Sequence, residues 1–120
     1  MMIKGIGIDI IELDRIKRNL QKSDRLVQRI LTEQEKELFL KLTNERRQVE
    51  FLAGRFAAKE AFAKATGTGI GKLSFKDISI LQSENGKPYI FAKEFVRMNL
   101  FVSISHSEEY AVAQVVIEEK

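Results

Sequence analysis

Isoleucines at positions 6, 8 and 10 alternate with Gly5, Gly7 and Asp9 at the head of the chain. A period of two with β-branched residues predicts a strand over 3–11. Its other face carries two glycines and an acid, so a neighbouring segment must approach it closely. Beyond it the period lengthens. Leu13, Ile16 and Leu20, then Leu26, Val27 and Ile30, recur at helical spacing over 12–31, with Ser23 or Asp24 placed to cap a second segment. Thr32-x-x-Glu35 has the capping-box form and predicts a helix over 33–42. The polar run 43–47 reads as a short loop.

The stretch 51–71, FLAGRFAAKEAFAKATGTGIG, organises the rest. Alanine, leucine, phenylalanine, lysine and glutamate suit a helix, and no proline interrupts them. At about 100° per residue, Val49, Leu52, Phe56 and Ala63 share one face, while Phe51, Ala58 and Phe62 occupy another. A helix apolar on two faces is buried on two sides, which makes this the central helix. The glycines from Gly67 onward end it. Downstream, 73–81 has strand spacing with a break at 76–77, and Asn85-Gly86 predicts a hairpin turn into a strand over 89–92. A short helix is expected over 92–99, then strands over 100–105 and 110–118. The last is apolar enough to lie centrally or under cover. Strands and helices in this order indicate one α+β domain over 1–120.

Composition narrows the function classes. With no cysteine among 120 residues, neither a disulfide framework nor a thiolate metal site is available. No apolar run approaches the ~20 residues of a membrane span, and the N-terminal residues lack a secretory apolar core, so a soluble cytoplasmic protein is expected. The net charge of +3 favours an anionic partner: a phosphorylated ligand, an acidic protein or nucleic acid. Arg15, Lys17, Arg18, Lys22, Arg25 and Arg29 crowd one helical region. They form either a solvated face or a docking surface for an acidic protein.

Candidate chemistry is sparse. Glu60 projects close to the Val49–Phe56 stripe, with Lys64 one turn further on, and a carboxylate at a buried face is costly without a partner. Asp9 admits two readings, a strand-end residue near a turn or a site residue. Gly5-Ile6-Gly7 is not a dinucleotide fingerprint, because it begins a strand and no third glycine opens a helix. Nor is 67–71 a Walker A loop, since Leu73 follows Lys72 where Ser or Thr is needed. Its backbone N–H groups could still line a phosphate chain, with Lys64 supplying charge. His106 is the single histidine, and Ser105 beside it makes no hydrolase dyad by adjacency. Two carboxylates with phosphates and waters would, however, suit magnesium.

Four segments carry a resemblance: GIGIDIIELDRI at 5–16, FLAGRFAAKEAFAKATGTGIG at 51–71, NGKP at 85–88 and VSISHSEEYAVA at 102–113. In this order and along the whole chain they resemble the 4′-phosphopantetheinyl transferases of the short bacterial, holo-acyl-carrier-protein synthase type. The resemblance implies that family's fold, an antiparallel sheet packed against a long central helix. It implies transfer of the phosphopantetheine arm of coenzyme A to a serine of an apo acyl carrier protein, releasing adenosine 3′,5′-bisphosphate. Asp9 and Glu60 match the family's magnesium ligands, and Lys64 the lysine next to the pyrophosphate. The resemblance implies that the serine proton goes to a metal-bound water or to a nearby carboxylate, and the sequence leaves both open. Arg55, His106 and Ser107 match positions near the nucleotide and its 3′-phosphate. Gly67, Gly69, Gly71, Lys87 and Pro88 match the walls of that pocket. Arg15 matches a docking arginine for the acidic carrier protein, with Arg25 a second contact. Family members of this length are homotrimers with sites shared between subunits. Membrane and nucleic-acid partners are not implied.

Two other classes fit fewer of these residues. A magnesium enzyme acting on another nucleotide would not be inhibited by coenzyme A. A module binding RNA or an acidic protein would keep its ligand without magnesium and after Asp9→Ala. No nucleic-acid motif or aromatic platform supports the second.

Overall fold

The computed structural model describes residues 2–67 and 74–120. Its strands are β1 (Ile3–Glu12), β2 (Ile78–Gln82), β3 (Pro88–Ala92), β4 (Met98–His106) and β5 (Tyr110–Glu119), and its helices are α1 (Leu13–Lys22), α2 (Arg25–Ile30), α3 (Glu33–Leu40) and α4 (Glu45–Thr66). β1, β5 and β4 form an antiparallel sheet in that order, and β2 pairs with β3 in a separate hairpin. The apolar last strand is therefore the central one, one of the two places its composition allows.

α4 lies across one face of the three-stranded sheet, and its sequence sets how near it comes. A Cβ on Gly5 would stand 1.8 Å from the Ala65 carbonyl oxygen, and one on Gly7 1.8 Å from that of Ala61. No side chain fits there; strand and helix meet backbone to backbone. The predicted close approach to the glycine face is thus made by the central helix. The isoleucines consequently face outward: Ile6, Ile8 and Ile10 are 61%, 57% and 62% exposed. At its other end α4 lies over β4, where a Cβ on Gly54 would come 3.1 Å from Ile104 Cγ2. The helix crosses the sheet diagonally, its N-terminal half over β4 and its C-terminal half over β1.

Several boundaries differ from those predicted. The polar run 43–47 is not all loop: Asn44 accepts a hydrogen bond from the Arg47 backbone and starts α4 at Glu45. α3 ends at Leu40 instead of running to 42, but the Thr32–Glu35 capping box is present in both directions. The break at 76–77 is a 3₁₀ turn, Phe75–Asp77, capped by Ser74, and the strand proper begins at Ile78. Only Lys93–Phe95 of the expected 92–99 helix is helical, as one 3₁₀ turn, and β4 already begins at Met98. Pairing of Met98 with Glu119 overrides the local helical spacing. Among the described residues no helix is long and apolar enough to cross a membrane.

A buried ion pair locks the helices to the hairpin. Lys59 Nζ, with no exposed surface, donates to Glu35 Oε1 at 2.5 Å, to the Ile30 carbonyl at 2.6 Å and to the Phe75 carbonyl at 3.0 Å. Glu35 also accepts from the backbone N–H of Thr32 and of Ile80. Burial pulls the Lys59 ammonium below the ordinary lysine range, and Glu35 pulls it back up.

Candidate active site

Asp9 shares a face of β1 with Gly5 and Gly7, because alternate strand residues point the same way. Lying inside the strand and paired with Ala113, it is no strand-end residue. The close packing at Gly7 brings its carboxylate to α4, where Lys64 Nζ donates to Asp9 Oδ1 at 3.1 Å and to the Ile8 carbonyl at 3.0 Å. Glu60 belongs to the same group. Partial burial, and after it the neighbouring Asp9 charge, push its carboxyl above the ordinary range, while Lys64 and Arg29 pull the other way. Two carboxylates, of which Glu60 is the one made costlier to ionise, thus stand beside one lysine, whose ammonium is hydrogen-bonded to Asp9.

Hard carboxylate oxygens in this setting fit magnesium, which takes one or two protein carboxylates and fills its shell with phosphate oxygens and waters. Among the described residues no group of three or more His, Cys, Asp or Glu converges to hold a metal. Such an ion would therefore depend on the substrate's own oxygens.

A second set of predicted residues gathers elsewhere. A cleft of ≈ 460 Å³ opens beside α4, walled by Arg55, Gly86, Pro88 and His106. Arg55 is only 6% exposed. Its guanidinium lies 3.9 Å over the Phe51 ring, and among the described residues its Nε and Nη2 reach no hydrogen-bond partner. Burial lowers its pKa to about 10, against the raising influence of Glu35. A buried cation with unused donors at a cleft wall is suited to an anionic ligand. Lys41 and Arg47 line the same cleft. Sequence reasoning missed both, since two basic residues in a polar stretch carry no signal of their own.

The remaining predicted residues are more scattered. Lys87 is exposed on the hairpin turn between two cleft residues. The Ser107 hydroxyl is engaged in its own turn, accepting from the backbone N–H of Glu109 and of Tyr110. Gly67 caps α4 at φ 79°, a left-handed conformation that glycine adopts freely. Gly69 and Gly71 lie outside the described residues. Arg15 and Arg25 are exposed on α1 and α2.

The two sets do not meet within one chain. Nine residues separate Arg55 from Lys64, which at 3.6 residues per turn puts them about 180° apart around α4. The acids stand at the β1 edge, the arginine cleft at the β4 edge.

The sequence matches the 4′-phosphopantetheinyl transferase superfamily over residues 5–115. The holo-[acyl-carrier-protein] synthase of Geobacillus sp. (strain WCH70) is 57% identical over 118 residues, spanning 98% of this chain and 98% of that protein. A Bacillus anthracis holo-(acyl-carrier-protein) synthase solved in complex with CoA (3′,5′-ADP) superimposes with a TM-score of 0.89 at 51% identity, covering 100% of both chains. The Helicobacter pylori holo-[acyl-carrier-protein] synthase, solved with coenzyme A, gives 0.81 at 35% identity, covering 94% of this chain and 99% of that one.

Proposed function

The chain belongs to the 4′-phosphopantetheinyl transferase superfamily, and we propose that it moves the 4′-phosphopantetheine arm of coenzyme A to a serine of an apo acyl carrier protein. The serine hydroxyl gives its proton to a water or a nearby carboxylate and its oxygen bonds to the β-phosphorus; the bond from that phosphorus to the oxygen bridging to the α-phosphate breaks, and adenosine 3′,5′-bisphosphate leaves. The observation that carries this reading is the meeting of Asp9, Glu60 and Lys64 at the glycine-lined contact of β1 with α4.

Phosphoryl transfer asks a protein mainly for positioning and for neutralising charge. Asp9 and Glu60 would hold magnesium, which when bound neutralises the pyrophosphate. Lys64, already oriented by Asp9, stabilises the departing oxygen. Arg55 and the residues around it bind the nucleotide, using donors that have no other partner. Arg15 and Arg25 meet the acidic carrier protein, where complementary charge chiefly speeds and orients encounter. Mass spectrometry of apo carrier protein incubated with the enzyme, coenzyme A and magnesium should find a phosphopantetheine adduct on the serine. An unmodified serine would sink the reading.

A trimer with shared sites accompanies this proposal. It is supported by the opposed halves of the site and by the outward apolar row of β1, which continues across the sheet through Val116 to the 51%-exposed Phe101. Asp9→Ala and Arg55→Ala chains, each inactive alone, should complement when exchanged into mixed trimers. If each site joins the acid half of one subunit to the cleft of the next, random mixing restores roughly a quarter of wild-type turnover. Absence of recovery would confine each site to one chain.

A further inference from the structure

The turn that follows His106 is held from across the molecule. Arg46, in the first turn of α4, donates through Nη2 to the backbone carbonyls of Ser107 at 3.1 Å and Glu108 at 2.9 Å. Its Nε donates to Glu50 Oε2 at 3.0 Å, one helical turn on. The same Glu50 oxygen lies 3.5 Å from His106 Nδ1. One carboxylate therefore links the histidine ring to the arginine that grips the backbone just beyond it. Ser107 completes the frame, its N–H donating to the Tyr110 carbonyl at 2.8 Å.

Helix pairs four residues apart contribute only a few tenths of a kcal/mol, so stability does not account for this arrangement. Its distribution of exposure is more informative. The Glu50 side chain is 17% exposed, whereas those of Arg46 and His106 are each 47% exposed. The carboxylate is sheltered and its two partners reach outward. Glu50 and His106 both line the ≈ 460 Å³ cleft, together with the cations Lys41, Arg47 and Arg55. A carboxylate 3.5 Å from Nδ1 holds that edge of the ring by electrostatic attraction, without a hydrogen bond, and leaves Nε2 as the nitrogen free to meet a ligand.

We infer that Arg46 and Glu50 are positioning residues for the cleft: they hold His106 at its wall, with Nε2 left for a phosphate oxygen of the nucleotide. This rests on the reading of the cleft as the coenzyme A nucleotide subsite. Neither residue needs to touch the ligand; both act through His106.

Calorimetric titration of the metal-free protein with adenosine 3′,5′-bisphosphate tests the arrangement. Glu50→Gln and His106→Asn should each weaken binding roughly tenfold. In the His106→Asn background, Glu50→Gln should weaken it no further, because the two share one route to the ligand. A merely structural contribution of Glu50 would persist there, and that persistence overturns the inference. So does wild-type affinity in Glu50→Gln. Wild-type affinity in His106→Asn would overturn the inference and the reading of His106 as a nucleotide contact together, while weakening in His106→Asn alone removes only the clamp. Arg46→Lys, which keeps a cation beside Glu50 but gives up the two-pronged grip on the turn, carries the same test should Glu50→Gln fail to fold. It too should weaken binding only when His106 is present.

Discussion

Glu60→Gln lowers phosphopantetheine transfer by roughly a hundredfold or more and leaves the metal-free protein as stable as wild type, or more stable. The substitution keeps shape and removes only charge. In the folded chain that charge is held under partial burial and beside Asp9, both of which raise the carboxyl's pKa. Because the folded value lies above the unfolded one, ionised Glu60 opposes folding at pH values above the ordinary carboxylate range. That opposition fades as pH falls through the folded value. The variant's advantage in chelator should therefore be present at neutral pH and vanish on acidification. Turnover with saturating magnesium, and melting curves in chelator at both pH values, check the two halves of the expectation. A large loss of metal-free stability would make Glu60 a structural residue. Undiminished turnover would remove it from the reaction.

Lys59→Ala costs the fold about 3–5 kcal/mol, the usual consequence of leaving a buried charge without its partner. Replacing both members by apolar residues is often harmless in other proteins. Here it should not be. Between them Lys59 and Glu35 satisfy the carbonyls of Ile30 and Phe75 and the N–H groups of Thr32 and Ile80. A Glu35→Leu/Lys59→Met chain strands the Ile30 carbonyl and the Thr32 and Ile80 N–H groups, each at about 1–3 kcal/mol if it stays buried, while the Phe75 carbonyl keeps the N–H of Ile78. Urea unfolding should find the double variant no more stable than Lys59→Ala. Wild-type stability in the double variant would show that the backbone bonds contribute nothing.

This pair also marks where sequence reading stops. The capping box exposes the local half of Glu35's work, since Thr32 lies three residues away. Its bonds to Lys59, 24 residues on, and to Ile80, 45 residues on, have no local pattern. Lys59 carried a faint signal as a charge among Ala57, Ala58 and Ala61. The start of α4 is obscured by Glu45, Arg46 and Arg47, which look like loop residues until Asn44 is seen capping them. In β1 the alternation and the tight approach were both legible. That the isoleucines face away from the helix follows only once the helix is known to take the glycine side.

The candidate site divides in the same way. Asp9 and Lys64 stand 55 residues apart, and the family resemblance, not periodicity, brings them together before the fold does. Glu60 differs, because an acid beside an apolar stripe asks for a partner whatever family it belongs to. Arg46 and Glu50 have helix-pair spacing in the sequence. Their hold on the turn after His106 spans 61 residues and appears only in three dimensions.

The diagonal course of α4 reaches beyond the geometry of one molecule. With its acids and its arginine back to back, a lone copy is an unfinished tool if, as proposed, a neighbour supplies the other half. Under that proposal scarcity costs twice wherever assembly is incomplete, once in the number of molecules and again in how often they meet, and halving the supply of this chain would then remove more than half of its output.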